Sequence, residues 1–216
     1  MVSEEDVFEP DRLSVEHVIK SVELDRDDWE EFLENKKRHK RMLDEELTED
    51  DLLDYYEMGL IDEKGNITKP KWKYHKERPP QSLLIMDDVL SSPALLQGSA
   101  DGSGITKVAT LNRHIAQLKE PSHDRSACGL AVIIISQTYS MPQGVSRTLR
   151  ENLTHLLIFK NKQEKQLNKI REELGSAVDE GKFQQAYELA TKEKYGNLLV
   201  DFNPKCPTMT FRKTLN

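Results

Sequence analysis

Cysteine is almost missing from this chain: its 216 residues hold two, Cys128 and Cys206, far apart. They make no credible metal site, and such sparse use fits a reducing, intracellular setting. Long apolar runs are missing too. None approaches the roughly 20 residues of a membrane-spanning helix, so a soluble chain is expected. The first residues, Met1-Val2-Ser3-Glu4-Glu5-Asp6, are acidic and lack the apolar stretch of a secretion signal, which predicts a non-secreted protein. Apolar content is 37% and charged content 32%, polar for a single globule. The length still suffices for one α/β domain with a real core.

A net charge of -7 hides strong segregation. Lys36-Lys37-Arg38-His39-Lys40-Arg41 is a basic block, Asp44 to Glu63 holds acids and no Lys or Arg, and Lys64 to Arg78 is basic again with Trp72 and Tyr74 interleaved. A net acidic protein can carry a local phosphate-binding face. Lys36, Lys37, Arg38, Lys71 and Lys73 are candidate nucleic-acid contacts, joined by Lys162 and Lys165 in the later segment Lys160 to Arg171. The same charges also suit exposed helices and loops that only keep the chain in solution.

Residues 1–80 read as a charged helical segment. One helix is expected over Asp25 to Leu47, with Trp29, Phe32, Leu33 and Leu43 available for a buried side. Thr48 is placed to cap a second helix by accepting from the Asp51 amide, and Gly59 to end it after Met58. Pro70 and Pro79-Pro80 keep the following segment extended. Residues 81–216 have a different texture. Apolar runs at Leu83–Met86, Leu130–Ile135, Leu156–Phe159 and Leu198–Val200 alternate with helical or loop stretches, which predicts an α/β sheet of mainly parallel strands. Thr208 to Arg212 alternates polar and apolar residues, as an edge strand would. Leu90 to Gly104 is expected to be a mobile loop.

The run Leu83-Leu84-Ile85-Met86 leads directly into Asp87-Asp88. Such a run suits a strand buried on both faces, and the C-terminal strand ends of parallel sheets are where these folds place ligands. A carboxylate there can hold Mg²⁺, directly or through water, against nucleotide phosphates. That is the form of a Walker B strand; a core strand followed by an acidic turn has the same letters. Strand Val132–Ile135 ends in Ser136-Gln137-Thr138, where an amide can bond a γ-phosphate or an attacking water without adding charge. Arg147 and Arg150, on the loop after Pro142, could neutralise charge developing in phosphoryl transfer, in cis or in the next subunit of a ring. A turn-capping amide and surface ion pairs are the plainer readings of those residues.

The ordered set LLIMDD, NRH, VIIISQTY, P…SRTLREN and THLLIFK resembles the DNA-packaging ATPases of double-stranded DNA viruses, within the FtsK–HerA superfamily. The likeness is to the poxvirus-like, large-virus and virophage types and covers residues 81 to about 213, including KQLNKIREEL and FQQAYELATKEKYGNLLVDF. It implies the C-terminal part of a P-loop ATPase core, an α/β fold with a mainly parallel sheet and flanking helices, incomplete at its N-terminal side. Asp87 would be the Walker B carboxylate on the Mg²⁺ side. Asp88 would be the catalytic base, where many relatives carry glutamate, its carboxylate one methylene farther back. Gln137 would be the sensor and Arg150 the arginine finger, with Arg147 second. ATP and Mg²⁺ are the implied cofactors. The implied partners are double-stranded DNA, a capsid or portal protein and further copies in a ring, in a virus factory in the host cytoplasm or on the virion.

One part of the family pattern is missing. A phosphate-binding loop needs G-x-x-x-x-G-K-[ST], and the chain has no Gly-Lys-Ser or Gly-Lys-Thr. The Gly-rich stretch Gly98 to Lys107 lacks the spacing and follows the Asp strand. A piece of a longer ATPase and a paralogue without turnover both fit. Retention of Asp87, Asp88, Gln137 and Arg150 together favours the first. A catalytically inactive DNA-binding or interaction protein on the same fold, or another P-loop motor such as a helicase or terminase-type subunit, are the alternatives. The role of the acidic helix Asp44–Met58 is open between partner docking and solubility.

Overall fold

Val15, Val22 and Trp29 recur at seven-residue spacing, which puts them on one side of a helix. In the computed structural model all three are buried along α1, Arg12–Asp44, which begins well before the expected Asp25. The structure describes residues 7, 12–44, 48–74, 76–88, 108, 110, 112, 114–115, 117–118, 128–140, 145–174 and 180–213. The chain divides into two compact units, Met1–Ile85 with Leu111–Ile133, and Met86–Thr110 with Ile134–Asn216.

In the first unit, Trp29 and Phe32 of α1 pack with Trp72, their ring centroids 4.8 and 5.3 Å from it. Tyr74 meets Trp72 edge-on at 5.5 Å. Near the end of α1 the buried residue is Met42, which clusters with Tyr55, Leu60 and Ile61. Leu43, expected inside, faces out: one residue turns a helix by about 100°. α2, Glu49–Glu57, starts with a reciprocal capping box. The Thr48 hydroxyl accepts from the Asp51 amide at 3.2 Å, and the Asp51 carboxylate accepts from the Thr48 amide at 3.0 Å. Gly59 follows the last turn with φ 70°, a left-handed conformation that glycine adopts without penalty.

β1, Gln81–Asp87, and β2, Gly129–Ile135, form a two-stranded sheet. The Gly129 amide donates to the Pro80 carbonyl at one end, and the Asp88 amide donates to the Ile135 carbonyl at the other. Start meets start and end meets end, so the pair is parallel. Burial on both faces does not hold: Met86 is buried, while Leu83 and Ile85 are 56% and 55% exposed, as expected when only one face of a sheet is covered.

The second unit contains a three-stranded sheet in the order β3, His155–Phe159; β4, Asn197–Asp201; β5, Phe211–Lys213. Both pairings are antiparallel, with Leu157 opposite Leu199 and Leu199 opposite Arg212. The expected mainly parallel sheet is therefore corrected: among the described strands only β1–β2 is parallel. The reason lies between β3 and β4. One intervening helix would return the chain parallel, but there are two, and a second helical pass reverses the returning strand. The edge-strand expectation for Thr208 to Arg212 shifts to Phe211–Lys213, because Pro207–Met209 forms a 3₁₀ turn.

The packing of this unit follows from its helices. α3, Arg147–Glu151, is capped by Ser146; α4 is Glu164–Leu174 and α5 is Glu180–Ala190. Phe183, Tyr187 and Ala190 recur at helical spacing on α5 and pack with Ile170 of α4, Ile158, Leu198 and Val200. Central strand β4 supplies the least exposed of these residues, Leu198 and Val200. Gly196 makes the turn into β4, where a Cβ would collide with the Ala190 carbonyl oxygen. The overall class is mixed α/β, with a helix-rich N-terminal part. No helix among the described residues is long and apolar enough to cross a membrane.

Candidate functional site

The parallel register of β1 and β2 brings their C-terminal ends side by side. Asp88 is the first residue past β1, held by its amide bond of 3.1 Å to Ile135. Its φ is 51°, a left-handed conformation that Asp and Asn tolerate better than other residues with a Cβ. Gln137 lies just past β2, and its Nε2 donates to Asp88 Oδ2 at 3.3 Å. Asp87, Asp88 and Gln137 are all exposed. One carboxylate and a neutral amide thus meet at adjacent strand tips, open to solvent, with the exposed Asp87 the preceding residue of the chain. No group of three or more His, Cys, Asp or Glu suited to a metal occurs among the described residues. A cation here would need most of its ligands from water or from phosphate oxygens, which is how Mg²⁺ is commonly held. The donor set fits Mg²⁺ on a nucleotide. A cradle for the phosphates is missing from the sequence, and the stretch Gly98 to Lys107 lies outside the described residues, as does the loop expected over Leu90 to Gly104.

Beyond Gln137 the chain is held by α4. Ser136 Oγ closes a local turn by donating to the Thr138 carbonyl at 2.9 Å. Gln166 is buried, and its Oε1 accepts from the amides of Tyr139 at 3.1 Å and Ser140 at 3.0 Å. Tyr139 donates its hydroxyl to Glu173 Oε2 at 2.8 Å. Burial together with that carboxylate pushes the Tyr139 hydroxyl pKa up. Burial alone would raise the Glu173 pKa, but hydrogen bonds from Arg150 and Tyr139 hold it below the usual value.

The two arginines behave differently. Arg150 Nε donates to Glu173 at 2.9 and 3.1 Å, its Nη1 to the Val145 carbonyl, and its guanidinium lies 5.3 Å over the Tyr139 ring. Its side chain is 12% exposed. Arg147 is 83% exposed and pairs with Glu151 one turn away at 2.7 Å. Arg150 is thus a held group and Arg147 a projecting one. Asn152, from the same motif, bonds the Thr148 carbonyl at 2.8 Å within its own helix end. Val108, Thr110, Asn112, His114 and Ile115 are helical; Arg113 lies outside the described residues.

The candidate nucleic-acid residues of the first unit are mostly engaged. Lys36 pairs with Glu77 at 2.7 Å, Lys37 with Glu34 at 3.5 Å, and Arg38 with Glu34 at 3.7 Å. Lys73 bridges Asp25 at 2.7 Å and Asp28 at 2.5 Å. Burial alone would lower its pKa, but these two hydrogen bonds hold it above the usual value. Trp72 packs on α1, so the aromatic and basic interleaving here straps a segment to a helix. Lys71, Lys162 and Lys165 are exposed. Cys128 is buried, and burial pushes its thiol up to about 11, so it is a poor nucleophile.

Sequence reasoning missed Gln166, Tyr139 and Glu173 as part of this site. A signal was present: Gln166 stands four residues before Ile170, a polar residue on the helix side that faces the core. Comparison with protein-family models, with characterised proteins and with solved structures finds no significant match.

Proposed function

We propose that this chain carries the Walker B part of an ATP-driven motor that packages double-stranded DNA into viral capsids, on a P-loop-type core. The observation that carries the reading is the Asp88–Gln137 contact of 3.3 Å at the tips of two parallel strands, the arrangement that acid-and-amide control of an attacking water requires. Asp87 would face Mg²⁺, which when bound draws charge from the phosphates. Asp88 would accept a proton from water at its carboxylate, and Gln137 would orient that water. Arg147, largely exposed, would be the arginine offered to a neighbouring copy in a ring. Portal or capsid proteins and DNA are the partners this reading requires.

Because the sequence holds no G-x-x-x-x-G-K-[ST], tight nucleotide binding is not expected of these 216 residues alone. The test on the chain itself uses Mn²⁺ with ATP as a paramagnetic probe. Amide resonances of Asp87, Asp88 and Gln137 should broaden at millimolar nucleotide, and Asp87→Asn should remove the effect. Broadening confined to the acidic start of α2, Glu49 to Asp51, would refute the reading. The missing phosphate loop favours a second reading, a non-catalytic DNA-binding protein on the same fold. That reading requires DNA affinity that falls steeply with salt and does not change with Asp88→Asn.

A further inference from the structure

The strand tips and the arginine helix lie at the two ends of one unbroken series of contacts. Gln137 bonds Asp88. Two residues on, the Tyr139 and Ser140 amides are taken by one buried oxygen of Gln166. The Tyr139 ring lies under the Arg150 guanidinium, and its hydroxyl bonds the carboxylate that also holds Arg150 Nε. Each element is costly unless satisfied. Gln166 is 4% exposed on the core side of α4, where an unbonded amide is unfavourable. Glu173 collects three donor contacts from two residues.

We propose that Gln166, Tyr139 and Glu173 form a relay that ties the position of Gln137 to that of Arg150, which makes Arg150 a positioning residue of the strand-tip loop. The purpose of the relay rests on the nucleotide reading above; its geometry does not. A backbone shift at Gln137 toward or away from Asp88 would carry Tyr139, because only one residue separates them. The Tyr139 ring and hydroxyl then carry Glu173 and Arg150, and Arg150 sits on α3 beside Arg147. The occupancy of the Asp88–Gln137 pair is thereby felt at the Arg150 side chain. For Arg150 to act as a finger it would have to leave Glu173, Tyr139 and the Val145 carbonyl together. Among the described residues Arg147 is hydrogen-bonded to the exposed Glu151, and exposed pairs hold weakly.

The test reads both ends of the relay in the full chain by NMR. Arg150 Nε–H, bonded to Glu173, should give a protected resonance; Arg147 Nε–H, exposed, is the internal control. Gln137→Leu should shift the Arg150 signal and leave Arg147 in place. Glu173→Gln should speed exchange of the Tyr139 and Ser140 amides about tenfold or more, as expected for losing a hydrogen bond to a charged group. Tyr139→Phe, which keeps the ring under Arg150, should give an intermediate effect. Protection at Leu198 and Val200 shows that the fold survives in each variant. An Arg150 resonance indifferent to Gln137→Leu, or Tyr139 and Ser140 amides indifferent to Glu173→Gln, overturns the relay. Failure of the Mn²⁺·ATP probe with both couplings intact removes the nucleotide reading and leaves the relay standing.

Discussion

Asp88 is the residue whose replacement separates backbone strain from chemistry. At φ 51° its Cβ crowds the following carbonyl, a conformation that costs roughly 1–2 kcal/mol for an ordinary residue. The side chain returns little, because it is exposed and its bond to Gln137 is a long 3.3 Å. Glycine at this position removes the strain but adds about 0.5–1 kcal/mol of unfolded-chain freedom. Alanine keeps the strain and loses the polar side chain. Asp88→Gly should therefore be more stable than Asp88→Ala by about 1 kcal/mol, or ~2–4 °C in melting temperature for a chain of this size. Asp88→Asn should stay within about 0.5 kcal/mol of the parent. Tryptophan fluorescence is the wrong probe, since Trp29 and Trp72 belong to the other unit. Urea unfolding followed by amide exchange at Leu198 and Val200 reads the correct one. Alanine equal to or better than glycine would refute the reasoning. An Asp88→Gly variant more stable than the parent as well would mean that an acid is kept where a glycine would sit more comfortably, the pattern of a residue retained for chemistry.

Two further outcomes are expected. Gly196→Ala drives a Cβ into the Ala190 carbonyl, part of a helix end that cannot swing aside, and should cost ~1–3 kcal/mol in urea unfolding; Gly129→Ala meets only the end of the Gln81 side chain and should cost much less. Glu173 has its folded pKa held below its ordinary 4.5, so its contribution is present above that value and lost as pH falls through the lower folded pKa; the stability gap between the parent and Glu173→Gln should be widest near neutrality and close in acid, and a gap independent of pH would refute the assignment.

What the sequence discloses and what it hides divide along physical lines. The strands around Leu83, Val132, Leu156 and Leu198 are legible because runs of aliphatic residues bounded by polar turns have few other uses. The Thr48 cap and the Gly59 stop are legible because both act within a few residues of themselves. The neighbourhood of Asp88 and Gln137 follows once both strands run the same way. The antiparallel direction of β4 is not legible from strand composition, since it depends on whether one helix or two precede it. The engagement of Lys73 by Asp25 and Asp28 is hidden for another reason. Charge runs show which residues are ionised, not which distant acids they meet. Gln166 shows the same limit: its spacing from Ile170 betrays a buried amide, but the amides that donate to it lie 26 and 27 positions earlier in the chain.

The apolar residues left outside on β1 and β2 have a consequence for the acids that follow them. Leu83, Ile85, Ile133 and Ile135 are all half exposed, and a short aliphatic strand of this kind can pair with the same strand from another molecule. Charge placed at the end of such a segment acts as a gatekeeper, because stacking copies in register would stack their carboxylates. Asp87 and Asp88 occupy that position. There they would hinder the strand they terminate from recruiting its own copies. Neutralising either one removes part of this protection, so Asp87→Asn and Asp88→Asn should form aggregates at lower protein concentration than the parent, and sooner in high salt.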